Sequence, residues 1–96
     1  MKVEYTRQAL ADLLYIAAYI RGRNRSAAVD LENAIRSTIG LLVDFPKLGR
    51  DRPGLGVRAL SVSRYPYTAY YRIVKDEVWI VHIRDDRRKP PESSDL

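Results

Sequence analysis

Tyr67-Thr68-Ala69-Tyr70-Tyr71-Arg72-Ile73-Val74-Lys75-Asp76-Glu77-Val78-Trp79-Ile80-Val81-His82-Ile83-Arg84 decides the fold of this 96-residue chain. In 67–74, Tyr67, Ala69, Tyr71 and Ile73 alternate with Thr68, Tyr70, Arg72 and Val74, the two-residue period of a strand. In 77–84, Trp79, Val81 and Ile83 alternate with Val78, Ile80, His82 and Arg84. Lys75-Asp76 between them reads as a tight turn, so the two runs pair as a hairpin. Just upstream, 57–63 is a third run, with Leu60 and Val62 sharing a face with Arg58 and Arg64, and Ala59, Ser61 and Ser63 on the other. Three consecutive strands joined by short turns predict an antiparallel meander.

Upstream of the meander the period changes. Lys2 to Tyr5 reads as a short strand, and Thr6 is the N-cap of a helix. Leu10, Leu13, Leu14 and Ala17 follow the i, i+3, i+4, i+7 spacing of one helical face, widened by Ile16 and Ile20. Gly22 ends that helix, and Arg21, Arg23 and Arg25 suit the negative end of its dipole. Ser26 then caps a second helix whose apolar face is Ala28, Leu31, Ile35, Thr38, Ile39 and Leu42. So short a connection predicts an antiparallel helical hairpin. Pro46 disfavours the helical conformation at Phe45 and stops the second helix there, and Gly49, Pro53, Gly54 and Gly56 make 46–56 a loop. The whole reads as an α+β domain: an N-terminal strand, a helical hairpin, then a meander with the helices on one sheet face. Residues 1–88 form the single domain, and 89–96, rich in Pro, Ser and acid, is expected to be a flexible tail.

Charge is distributed unevenly. The net charge is +5. Residues 1–45 hold six Lys/Arg against five Asp/Glu, whereas 46–89 hold eleven against five. A one-sided basic field steers toward anionic partners, beyond the solubility that any net charge supplies. No apolar run reaches the roughly 18 residues of a membrane span, and no apolar stretch follows a basic cluster at the N-terminus, so neither membrane nor signal peptide is expected. The chain has no cysteine, which excludes disulfides and thiol nucleophiles and fits a reducing cytoplasm. One histidine and no cysteine leave no ligand set for zinc, and Gly54-Leu55-Gly56 lacks the strand–helix context of a phosphate loop, so no metal or cofactor is expected.

What remains for chemistry lies in the sheet half. His82 reads first as a structural strand residue; its functional alternative is proton transfer in RNA cleavage, with Arg84, Arg87 and Arg88 as cations. Arg58, Arg64, Arg72, Arg84, Arg87 and Arg88 either bind phosphate or carboxylate groups or protect the sheet as a solvated face. Asp85-Asp86 beside Arg87-Arg88 reads as a self-compensating turn. Tyr67 and Tyr71 are expected in the core, while Tyr65 and Tyr70 are candidates for exposed stacking or hydrogen bonding.

From Val3 to Arg88 the pattern resembles the ParE/RelE superfamily of type II toxin–antitoxin toxins. The resemblance rests on Asp44-Phe45-Pro46 with Leu48-Gly49-Arg50, on Val57-Arg58-Ala59-Leu60, on Tyr67-Thr68-Ala69-Tyr70-Tyr71-Arg72, and on Val78-Trp79-Ile80-Val81-His82-Ile83-Arg84 ahead of Arg87-Arg88. It implies a compact growth-inhibiting toxin, as in plasmid stabilisation, held inactive by a wrapped antitoxin. RelE-like members resemble ribosome-dependent mRNA endoribonucleases with Lys/Arg on the sheet and often a Tyr or His near the C-terminus. Here Thr68 stands where such members tend to carry Arg, Leu60 and Ser61 where they tend to have Lys, and Lys89-Pro90-Pro91 follows Arg88 with no later Tyr or His. These departures favour the ParE-like branch, which implies a non-enzymatic inhibitor of DNA gyrase. On that reading Arg58, Arg64, Arg84, Arg87 and Arg88 would bind the target. Tyr70, Arg72, Leu10 and Leu14 would meet a ParD-like antitoxin, through which operator DNA is contacted indirectly. The alternative ribonuclease would use Arg58, His82, Arg84 and Arg88.

Overall fold

The computed structural model describes all 96 residues. Strand β1 (Lys2–Tyr5) leads into helices α1 (Arg7–Arg21) and α2 (Arg25–Gly40), followed by strands β2 (Arg50–Arg52), β3 (Val57–Ser61), β4 (Tyr67–Val74) and β5 (Glu77–Asp85). The strands form one sheet in the order β1-β5-β4-β3-β2. The expected meander is present as β3, β4 and β5, all antiparallel, and β1 joins it parallel to β5, with Val3 opposite Val78 and Tyr5 opposite Ile80. The segment expected to be wholly loop contains β2, because Arg50, Asp51 and Arg52 pair with Ala59, Arg58 and Val57. Three residues are too few for a periodic signal in the sequence.

The helix signals hold at one end and shift at the other. Thr6 caps α1 as expected, its side chain accepting from Ala9 N–H at 3.1 Å. Asn24, not Ser26, caps α2: it is extended (φ −160°, ψ 113°), and its side chain accepts from Ala27 N–H at 3.1 Å. The Asn24 N–H still donates to the Ile20 carbonyl of α1 at 2.8 Å, so one residue closes the first helix and opens the second. Asn caps about as well as Ser, and this earlier position gives the tighter turn. At its far end α2 stops at Gly40 and tightens into a 3₁₀ turn over Leu41–Val43 before reaching the Phe45-Pro46 break.

The core lies between the helices and one sheet face. Ile35, Leu42, Tyr71, Val78 and Ile80 are its largest fully buried side chains. Each buried aliphatic side chain of this kind contributes about 1.5–3 kcal/mol of transfer free energy. The face of α2 is nearly as expected: Ala28, Leu31, Ile35 and Ile39 are buried, Thr38 is half-buried, and Leu42 carries the face on into the 3₁₀ turn. The face of α1 is rotated: Ala9, Leu13, Ile16 and Ala17 are buried, while Leu10 (48% exposed) and Leu14 (71%) point outward. Ala9, Leu13 and Ile16 join the core cluster with the sheet residues, and the two leucines fall outside it.

Along β5 the alternation breaks once. Tyr70 pairs with His82 but Tyr71 pairs with Ile80, so Val81 is an extra, bulged residue. In consequence Val78, Ile80 and Ile83 are all buried, although 78 and 83 differ in parity.

Candidate binding faces on the sheet and the first helix

Strand β1 ends at Tyr5 opposite Ile80, yet β5 runs on to Asp85, which leaves the backbone of 81–85 without a strand neighbour on that side. The start of α1 fills the gap. Thr6 N–H donates to the Ile80 carbonyl at 2.9 Å, and the Thr6 hydroxyl to the Val81 carbonyl at 3.2 Å. Nearly two turns later Asp12, the only acid in α1, accepts from Ile83 N–H at 2.9 Å and from Gln8 Nε2 at 2.8 Å. Its Oδ2 also meets His82 Nδ1, with both side chains well shielded. Arg84 Nη1 lies 3.4 Å from His82 Nε2. Because a guanidinium only donates, this arrangement places the ring proton on Nδ1, facing Asp12. Asp12 thus ties helix to strand, and the sequence reading missed it; the signal was a lone carboxylate flanking the apolar stripe of α1.

Around this junction lies a cleft of about 610 Å³ between α1 and the end of β5, lined by Tyr15, Tyr19 and Tyr67 and by His82, Arg84, Arg87 and Arg88. Arg87 forks onto Asp85, with Nε to Oδ1 at 2.9 Å and Nη2 to Oδ2 at 2.7 Å. Those hydrogen bonds, reinforced by the backbone N–H and the charge of Arg87, hold the Asp85 carboxyl down at about 2, below the ordinary 3.8. The Asp85 carboxylate in turn raises Arg87. Burial, then the nearby Asp85 charge, raises the Tyr67 phenol. The expected self-compensating turn is present in half: Arg87 is paired to Asp85, Asp86 instead accepts from the Thr68 hydroxyl at 2.5 Å, and Arg88 is exposed with no ion pair.

The other predicted arginines are scattered. Arg58 lies on β3 opposite Tyr71 and donates to the Gly49 carbonyl at 2.8 Å and the Lys47 carbonyl at 3.2 Å, clamping the loop after α2. Arg64 is exposed in the β3–β4 turn with a positive φ of 72°. Arg84 is half-buried and borders two clefts. The second cleft, about 620 Å³, lies on the helix-free face of the sheet between β2–β5 and residues 89–91. Tyr70 is on this face and, contrary to expectation, is buried (7% exposed); Tyr65 is half-buried and packs against the core. The segment expected to be a flexible tail lies across this face: Pro91 is buried, and Arg72 Nη2 donates to Leu96 O at 3.3 Å.

The structure therefore brings His82, Arg84, Arg87 and Arg88 to one cleft, with Arg58 and Arg64 outside it and Leu10 and Leu14 exposed on α1. A helical hairpin on a sheet of this order has a solved counterpart among toxin–antitoxin proteins. A chain of the structure described as the chromosomal ParDE TA system from P. aeruginosa superposes with a TM-score of 0.78 at 28% identity, over 88% of this chain and 95% of that one. The family model for the ParE toxin of the type II toxin–antitoxin system parDE matches residues 3–90, and the chain belongs to that family. Among curated proteins none matches it.

Proposed function

We propose that this ParE-family toxin inhibits DNA gyrase by binding rather than by bond-breaking chemistry, and that a ParD-like antitoxin neutralises it in a hetero-oligomeric complex within the cytoplasm. Operator DNA would be reached only through the antitoxin. The engagement of His82 supports this reading most. The sole imidazole is shielded and tied to Asp12; of the cations the ribonuclease reading pairs with it, Arg84 and Arg88 line the same cleft, while Arg58 is committed to the Gly49 and Lys47 carbonyls elsewhere on the sheet. A phosphoryl-cleaving site needs a proton carrier and cations convergent on one phosphate. The exposed Arg87 and Arg88, on the rim of the α1–β5 cleft, suit contact with an acidic protein surface or a protein–DNA complex. Exposed Leu10 and Leu14 suit apolar contact with an antitoxin segment.

The test is purified toxin with gyrase and supercoiled DNA, run beside a translation reaction probed for mRNA cleavage. Loss of supercoiling with intact mRNA is expected. Cleaved mRNA with untouched gyrase would establish the ribonuclease alternative instead.

A further inference from the structure

Two strands of the sheet have a neighbour on one side only, β1 and β2. An open edge offers unpaired N–H and C=O groups to another strand. On β1 those groups can be located. Thr6 N–H donates to the Ile80 carbonyl, and along a parallel ladder every second residue bonds to the neighbour. Lys2 and Glu4 therefore face β5, and Val3 and Tyr5 turn both N–H and C=O outward, where no helix, loop or side chain bonds to them. Side chains alternate in the perpendicular direction. Val3 and Tyr5 pack against the core, so Lys2 and Glu4 stand on the helix-free face, 2.9 Å apart.

Antiparallel pairing opposes outward residues to outward residues, so a second copy related by a two-fold axis can be centred on a residue of β1 but not between two. Centred on Lys2 or on Glu4, it brings like charges face to face. Centred on Tyr5, it runs into α1. Centred on Val3, it sets Lys2 opposite Glu4 of the second copy, and Glu4 opposite Lys2 of the second copy. These are the non-hydrogen-bonded positions, with Cα atoms about 4.5 Å apart and side chains closest. Opposite charges there stabilise a strand pair. Val3 of each copy then exchanges both backbone hydrogen bonds with its counterpart, and each Tyr5 N–H reaches the Met1 carbonyl opposite. The other edge has no such register. On β2, Arg50-Asp51-Arg52, every two-fold centre sets Arg against Arg, Asp against Asp, or both.

We propose that two copies of this chain associate through antiparallel pairing of their β1 edges about Val3, joining two five-stranded sheets into one. Apolar surface lies beside that edge. Met1, Leu41 and Val43 are exposed, and the Met1 amino group donates to the Val43 carbonyl at 2.7 Å, holding the strand and the 3₁₀ turn together. Pairing uses up the β1 edge and β2 repels its own copy, so the assembly closes at two. No residue of β1 or of 41–43 lines either cleft, so the dimer presents each cleft twice.

Sedimentation velocity on the purified full chain, with neither gyrase nor antitoxin present, reads the association. The wild-type chain should sediment as a dimer. Lys2→Glu carries acid at both positions and Glu4→Lys carries base at both, so each variant alone should sediment as a monomer. An equimolar mixture of the two should recover the dimer, because their edges complement one another. A wild-type chain that stays monomeric at its highest soluble concentration overturns the proposal. So does a variant that still dimerises alone, or a mixture of two cooperatively melting variants that stays monomeric. Should either variant not fold, hydrogen exchange on the wild-type chain decides. The outward amides of Val3 and Tyr5 should gain protection between dilute and concentrated solution, and unchanged protection overturns the proposal equally.

Discussion

Tyr71 joins the loop after α2 to the sheet with a single hydroxyl. It donates to the Pro46 carbonyl at 2.7 Å and accepts from the Gly49 N–H at 2.8 Å. Gly49 is required there by close approach: a Cβ would sit 2.7 Å from the Tyr71 ring and 3.1 Å from the Ala59 carbonyl. Tyr71→Phe leaves the buried Gly49 N–H unpaired and should cost about 1–3 kcal/mol in a urea melt. Burial raises the Tyr71 phenol above the ordinary 10.0, so the fold favours its neutral form. That contribution is whole below pH 10 and is lost as pH rises past the folded-state value; Tyr71→Phe should flatten the alkaline limb of stability. Asp85 works in the opposite sense. Its contribution is whole above about pH 3.8 and fades as pH falls toward 2, a slope that Asp85→Asn should remove. Arg87→Ala with Arg88→Ala should impair the proposed gyrase inhibition while the thermal unfolding transition persists, since both side chains are exposed. Loss of that transition would make the pair structural. At this scale the sequence revealed what depends on near neighbours, such as the Thr6 cap. The roles of Asp12 and Tyr70 depend on a strand ending early and a distant segment folding back, which no local pattern encodes.

Among the elements, the β4–β5 hairpin carries identifiable strain. Lys75 has φ 56°. The left-handed conformation costs a non-glycine residue roughly 1–2 kcal/mol, whereas glycine adds only about 0.4–1 kcal/mol of unfolded-state entropy. Lys75→Gly should therefore stabilise the protein by about 0.5–1 kcal/mol, measured by chemical denaturation. Helix α1 shows where periodicity is ambiguous. Two overlapping stripes share Leu13 and Ala17, and packing in the core buries Ala9 and Ile16 rather than Leu10 and Leu14. The leucines left outside are then available to a partner. Leu10→Asp with Leu14→Asp should weaken antitoxin affinity by roughly tenfold to a hundredfold or more, with the fold intact, as read by calorimetry. Unchanged affinity would move the antitoxin contact elsewhere.

For the molecule as a whole, charge and shape act separately. The excess of Lys/Arg in residues 46–89 was legible from composition, but its division between two clefts on opposite sides of β5 follows from the fold. Long-range attraction from such a field governs encounter more than residence. Stopped-flow association with an acidic antitoxin should slow steeply as salt rises, with dissociation nearly constant; salt-independent association would show that apolar contact alone guides the pair.

The parallel pairing of β1 with β5 also orders events in time. Lys2 lies opposite Glu77, and Val3 opposite Val78, so β1 waits for β5, the last strand of the sheet in chain order. The helical hairpin between them can form locally, but its apolar side has no complete sheet to cover until β5 has emerged. Contacts of such long sequence separation are made late and slowly. Until β5 emerges a nascent chain thus stays a sticky intermediate, and both clefts, each lined by β5 residues, come into being together once it does.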